Sequence, residues 1–137
     1  MNKKMSIPVL ISLFALLFII FTGCEAKMNW YINKLKTAYW FNRANGLHIM
    51  GKYKEAVEAY NKAIELEPEN PNLWYNKAQS QEKLGGWYEK QEKKVNIRGV
   101  YTTRALNSLR TARRLAEKQG KRNLMQKIDL MITELEK

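Results

Sequence analysis

Residues 40–68, WFNRANGLHIMGKYKEAVEAYNKAIELEP, leave this chain little choice of fold. Trp40, Ala44, Leu47 and Met50 recur at spacings of three and four, which places apolar or small side chains on one face of a helix. Gly51 follows, and a glycine ends a helix readily because it enters the left-handed conformation without steric cost. A second stripe, Ala56, Tyr60, Ala63 and Leu66, has Val57 and Ile64 beside it and runs to Pro68, which cannot continue a helical hydrogen-bond ladder. Two helices joined by so short a turn pack antiparallel. Ala56 and Ala63 are small where the two would cross, so the backbones can approach closely.

The pattern returns downstream. A shift of 34 residues carries Trp40 onto Trp74, Asn42 onto Asn76, Ala44 onto Ala78 and Gly51 onto Gly85, so a further helix is expected over Pro71 to Leu84. Its partner does not arrive on the same period. Lys90 and Lys94 stand where a small residue and an aromatic belong, and the stripe reappears 15 residues late as Ala105, Leu109, Ala112 and Leu115. An insertion is therefore expected over 86–103, read as a loop with local helix because its sequence keeps no clean period. Gln119-Gly120 ends that helix, and Leu124, Ile128, Met131 and Leu135 mark a last one at 121–137 that would cap the array. Upstream, Met28, Ile32, Leu35 and Tyr39 form a stripe that extends the first helix back to near Met28. Trp30 and Tyr31 beside it suit either a lipid interface or packing against the first hairpin.

A large residue opening the first helix, a small one a turn later, a glycine turn, two alanines about an aromatic and a closing proline are filled by Trp40, Ala44, Gly51, Ala56, Tyr60, Ala63 and Pro68. This arrangement resembles the tetratricopeptide repeat (TPR), with Arg43 standing where that family usually has Leu. The resemblance implies an all-α fold of TPR-like antiparallel helix hairpins. The chain would divide into a leading helix (24–36), one repeat (37–70), a second TPR-like repeat (71–118) carrying the insertion, and the capping helix.

The first 23 residues read as a targeting segment. Lys3 and Lys4 precede an apolar run, Ile7 to Phe21, which at 15 residues is short of the about 20 that a spanning helix needs. The run ends Phe21-Thr22-Gly23-Cys24, and Cys24 is the single cysteine of the chain. This resembles a bacterial lipobox, in which a thiol at that place accepts a diacylglycerol through a thioether. The alternative is an uncleaved N-terminal transmembrane anchor in which Cys24 is incidental. Either reading holds the rest at a membrane, on its extracytoplasmic face.

Little in the chain could do chemistry. One His, one Cys and one Asp among 137 residues argue against a metal centre, a disulfide framework or a catalytic triad. Gly85-Gly86 is followed by Trp87, not by the Lys of a phosphate-binding loop. No cofactor and no enzymatic activity are expected. The resemblance implies instead a concave face lined by first-helix residues. By register these are Ala38, Phe41, Asn45, His48 and Ile49 from the first repeat and Asn72, Tyr75, Gln79, Glu82 and Lys83 from the second, with Asn76 beside them, a surface suited to a peptide or partner protein. Asn45 and Asn76 match the asparagines of the carboxylate clamp of some relatives, but Phe41 replaces its lysine.

The formal net charge is +11, and residues 87–127 hold 12 basic against 3 acidic side chains. Lys90, Lys93, Lys94 and Arg98 lie in the insertion; Arg110, Arg113 and Arg114 follow on the next helix. Such a patch attracts anionic lipid, an acidic partner or a polyanion. The export signal argues against nucleic acid. The sequence thus reads as a membrane-tethered adaptor that holds a partner protein in its groove. The alternative is an anionic-polymer or nucleic-acid binder acting through 87–127.

Overall fold

A computed structural model describes residues 7–92 and 95–137, with the side chains of 7–11, 13–24, 26, 92, 95 and 96 left aside. Five helices follow one another: α1 (Ile7–Ile49), α2 (Tyr53–Leu66), α3 (Pro71–Glu92), α4 (Val95–Lys118) and α5 (Arg122–Leu135). The described residues contain no strand, and the fold is all-α and TPR-like. The chain divides into two compact units, Met1–Lys34 and Leu35–Lys137. Among the described residues no helix is long and apolar enough to cross a membrane. Within the first unit Trp30 and Tyr31 are 61% and 60% exposed.

The second unit is built as the periodicity requires. Ala44, Ala56, Ala59 and Tyr60 form one buried cluster, with Trp40, Phe41 and Leu47 packed against it. Ala63, Ile64 and Leu73 continue it under Trp40 and Trp74. Ala78, Ala105, Leu109, Ala112, Ala116 and Ile128 make the other cluster, covered by Leu124, Met125, Met131 and Ile132. The alanines are the reason that α3 packs closely on α2 and on α4, and α4 on α5.

Two of the three expected glycine turns are present, at Gly51 and Gly120, and they are the same device. Gly51 has φ 75°; its N–H donates to His48 O at 3.0 Å, and Lys52 N–H donates to Leu47 O at 2.9 Å. Gly120 has φ 66°, with matching bonds to Glu117 O at 3.0 Å and from Lys121 to Ala116 O at 2.9 Å. These paired bonds satisfy carbonyls that a helix end otherwise leaves open, and only glycine enters that φ freely. Between α2 and α3, Asn70 Oδ1 accepts from the Asn72 N–H at 3.2 Å, and the Trp74 indole N–H donates to Pro68 O at 2.8 Å.

Three expectations are corrected. The first helix does not start near Met28: α1 runs from Ile7. Met50, expected on the apolar stripe, is 71% exposed because it falls where the Gly51 cap turns the chain away. The insertion, expected as a loop with local helix, is helical wherever it is described. It lengthens α3 to Glu92 and starts α4 at Val95, so these helices have 22 and 24 residues where α2 has 14. The reason lies at Gly85. It is buried in the middle of α3, and a Cβ built there would stand 2.9 Å from Tyr101 Cβ. The glycine serves as the contact point of two long helices, not as a turn. Beyond it Tyr88 stacks on Tyr101, with ring centroids 5.5 Å apart.

Candidate functional site

The sequence places His48 on the last turn of α1 and Tyr75 and Gln79 one turn apart on α3. The fold brings these three together in a cleft of about 380 Å³. Glu82 and Lys83 continue its α3 wall, and α5 closes the other side with Lys127, Leu130, Met131 and Glu134. Tyr75 is half-buried against the second core cluster. Gln79 Nε2 donates to Tyr75 Oη at 3.3 Å, which fixes the amide over the ring.

His48 is held more firmly. Its Nδ1 lies 2.8 Å from Ser80 Oγ, while that hydroxyl donates to Asn76 O at 3.2 Å. A hydroxyl has one proton, so Ser80 accepts from Nδ1–H, and the neutral imidazole keeps Nε2 as an acceptor. Burial pushes the His48 pKa below its ordinary value; Lys83 pushes the same way and Glu82 opposes. The His48 ring also meets Tyr53 edge to face at 5.3 Å. Burial raises the Tyr75 pKa, helped by Glu134 across the cleft. The walls therefore mix both charge signs around an aromatic and amide floor, which suits a peptide with paired polar groups.

The other expected groove residues go elsewhere. Phe41 is half-buried against the first core cluster, its ring 6.3 Å from that of Tyr60. Asn45 Oδ1 accepts the Tyr60 hydroxyl at 2.5 Å, which ties this side chain to α2 inside the hairpin. Asn72 is exposed on the first turn of α3, and Asn76 supplies its carbonyl to Ser80; neither lines the cleft. The α5 wall is not legible from repeat register, which makes this helix only a cap. Its signal was Leu130, which stands off the 124–128–131–135 stripe and is 67% exposed.

Several cations of the basic segment are engaged internally. Arg98 pairs with Glu89 at 3.0 Å, Arg110 with Glu136 at 3.6 Å, and Arg113 with Asp129 at 2.7 Å and Glu117 at 3.8 Å. Lys90 and Arg114 are exposed. Lys93 and Lys94 lie outside the described residues, as does the side chain of Cys24, the expected lipid acceptor. Among the described residues no group of three or more His, Cys, Asp or Glu could hold a metal ion.

Comparison with known families now adds one finding. Residues 44–85 match the TPR repeat. The match covers the end of α1, the whole of α2 and α3 as far as Gly85, so the TPR pattern stops where α3 runs past its expected turn. No curated protein matches the chain. A TPR repeat points to protein–protein interaction.

Proposed function

We propose that the chain is a non-enzymatic TPR adaptor whose α1–α3–α5 cleft holds a peptide of a partner protein, and which its N-terminal segment keeps at the extracytoplasmic face of a membrane. The observation that carries the binding reading is the cleft itself. His48, Tyr75 and Gln79, placed by TPR register, share it with Leu130 and Met131, so fixed polar groups stand beside exposed apolar surface. The tether rests on the apolar run 7–21, on Cys24 as sole cysteine and on the exposed Trp30 and Tyr31.

Phe41 is a poor probe of the cleft, because trimming it would empty the first core cluster. A photoreactive side chain at Gln79 or Leu130 is the better one. It is expected to crosslink the partner in membrane fractions, while the same group at the exposed Glu58 of α2 does not. Equal crosslinking from both places would refute the cleft reading. Mass spectrometry of the mature N-terminus tests the tether separately. An acylated Cys24 as first residue is expected, and an intact unmodified leader refutes lipid anchoring.

A further inference from the structure

The lengthened α3 creates a second cavity, of about 300 Å³, that shares no residue with the cleft. Leu84, Trp87 and Tyr88 form one wall; the Gly51 turn and the first residues of α2, Tyr53 among them, form the other. The aromatic wall is braced from behind. Trp87 meets Tyr88 edge to face at 5.1 Å, Tyr88 stacks on Tyr101 with an interplanar angle of 13°, and the Arg104 guanidinium lies over the Tyr101 ring at 5.2 Å. Tyr53 is braced by His48. Trp87 nonetheless stays 46% exposed. An indole held rigidly but left half in water resembles the aromatic anchors of recognition sites, where the ordering entropy is spent before binding.

The rim supplies the charge. Lys52 at the turn and Lys54 in the first turn of α2 stand beside a single acid, Glu55. The charges of Lys54 and Arg104 both reach Tyr101, while Glu89 is already paired with Arg98. The cavity is therefore apolar within and cationic at its edge. Its size is at the lower limit of ligand sites, about 300–1,000 Å³, which leaves room for one side chain and not for a cofactor.

The geometry points to a docking site for an acidic peptide segment of a partner protein, one that inserts an aromatic or branched aliphatic side chain between Trp87 and Tyr53 and sets neighbouring carboxylates against Lys52 and Lys54. The site exists because of the helical insertion, which the TPR match does not cover. It stands or falls independently of the α1–α3–α5 cleft.

The test is an NMR titration of the full chain with three probes carried to millimolar concentration: acetyl-Glu-Phe-Glu amide, acetyl-Lys-Phe-Lys amide and acetyl-Glu-Ala-Glu amide. The first is expected to move the Trp87 indole N–H and the Leu84 methyls to saturation. The other two should bind at least about fivefold more weakly, since two exposed ion pairs and one buried ring are each worth that much. Lys52→Glu with Lys54→Glu should reverse the preference between the charged probes. Trp87→Ala should abolish binding while leaving the helical circular dichroism intact. No saturable shift at Trp87, equal binding of the two charged probes, or shifts confined to Gln79 and Leu130 would overturn the assignment.

Discussion

Replacing Gly85 and Gly86 by alanine, one at a time, should have unequal effects on stability. Both sit inside α3 with ordinary negative φ, so each substitution relieves the entropy that glycine loses in a helix, a gain of roughly 0.5–1 kcal/mol. The surroundings differ. A Cβ at Gly86 meets nothing within 4 Å, so Gly86→Ala should realise the whole gain. A Cβ at Gly85 stands 2.9 Å from Tyr101 Cβ, 3.6 Å from Arg98 O and 3.7 Å from Arg98 Cα. Backbone and a Cβ cannot swing aside as a side-chain tip can, so α3 and α4 must separate. Such overpacking costs typically about 1–3 kcal/mol. The two variants should therefore differ by about that amount, with Gly85→Ala neutral to destabilising. Urea unfolding followed by far-ultraviolet circular dichroism reads this directly. With a slope of about 1–3 kcal/mol per molar, the midpoints should lie about 0.5–1 M or more apart, at unchanged slope. If both alanines raise the midpoint equally, α3 and α4 do not cross at Gly85, and the loop reading of residues 86–103 regains its standing.

Leu109→Ala, at a fully buried place in the second core cluster, should lower stability by about 2–5 kcal/mol, whereas Leu130→Ala should change it by under about 0.5 kcal/mol; thermal and urea unfolding distinguish them. Tyr60→Phe removes the hydroxyl that bonds Asn45 and should cost about 1–2 kcal/mol, with Asn45→Ala in the same background adding little. Burial pushes the Tyr60 phenol up to about 12, so the folded state holds a proton that the unfolded chain releases near 10; this contribution is complete below pH 10 and is lost as pH rises toward 12, which phenolate absorbance and alkaline unfolding would show. His48 has the opposite sense. Its folded pKa is lowered, so its contribution is present above about 6.5 and is lost as pH falls. An NMR titration should place its inflection below 6.5, and Ser80→Ala should remove the tautomer preference.

The parts that local chemistry dictates were legible in the sequence. Gly51 and Gly120 end helices because their φ values suit glycine alone, and Ala56, Ala63, Ala105 and Ala112 are buried because close helices demand small residues. The insertion is helical because its apolar period outruns the repeat. Leu84, Gly85 and Tyr88 prolong the α3 stripe, and Tyr101 precedes Ala105 by four residues, so both apolar faces ran on through the expected loop. A glycine at a repeat position looks like a turn, yet at a helix crossing it gives the same letter. The cleft was half legible for a related reason. Register points to His48, Tyr75, Gln79, Glu82 and Lys83, but sending Asn45 to Tyr60 and Ser80 to His48 requires knowing which neighbours are within reach.

The basic composition carries less about partners than its sum implies, and the structure explains why. Arg110 on α4 pairs with Glu136 just past the end of α5, Arg113 with Asp129 at the middle of α5, and Lys118 reaches Glu69 between α2 and α3 at 3.4 Å. Each such exposed pair adds little stability, because water screens it, yet each removes a cation from the pool that a polyanion could neutralise. Gln119 Nε2 adds a bond to Glu69 O at 2.6 Å, so the end of α4 is tied to the α2–α3 link by two contacts. These cations hold the capping helix against the array and therefore help to form the α5 wall of the cleft. A charge run that sequence alone assigns to a partner is thus spent partly on shaping the surface where, on the reading favoured above, a partner peptide would sit.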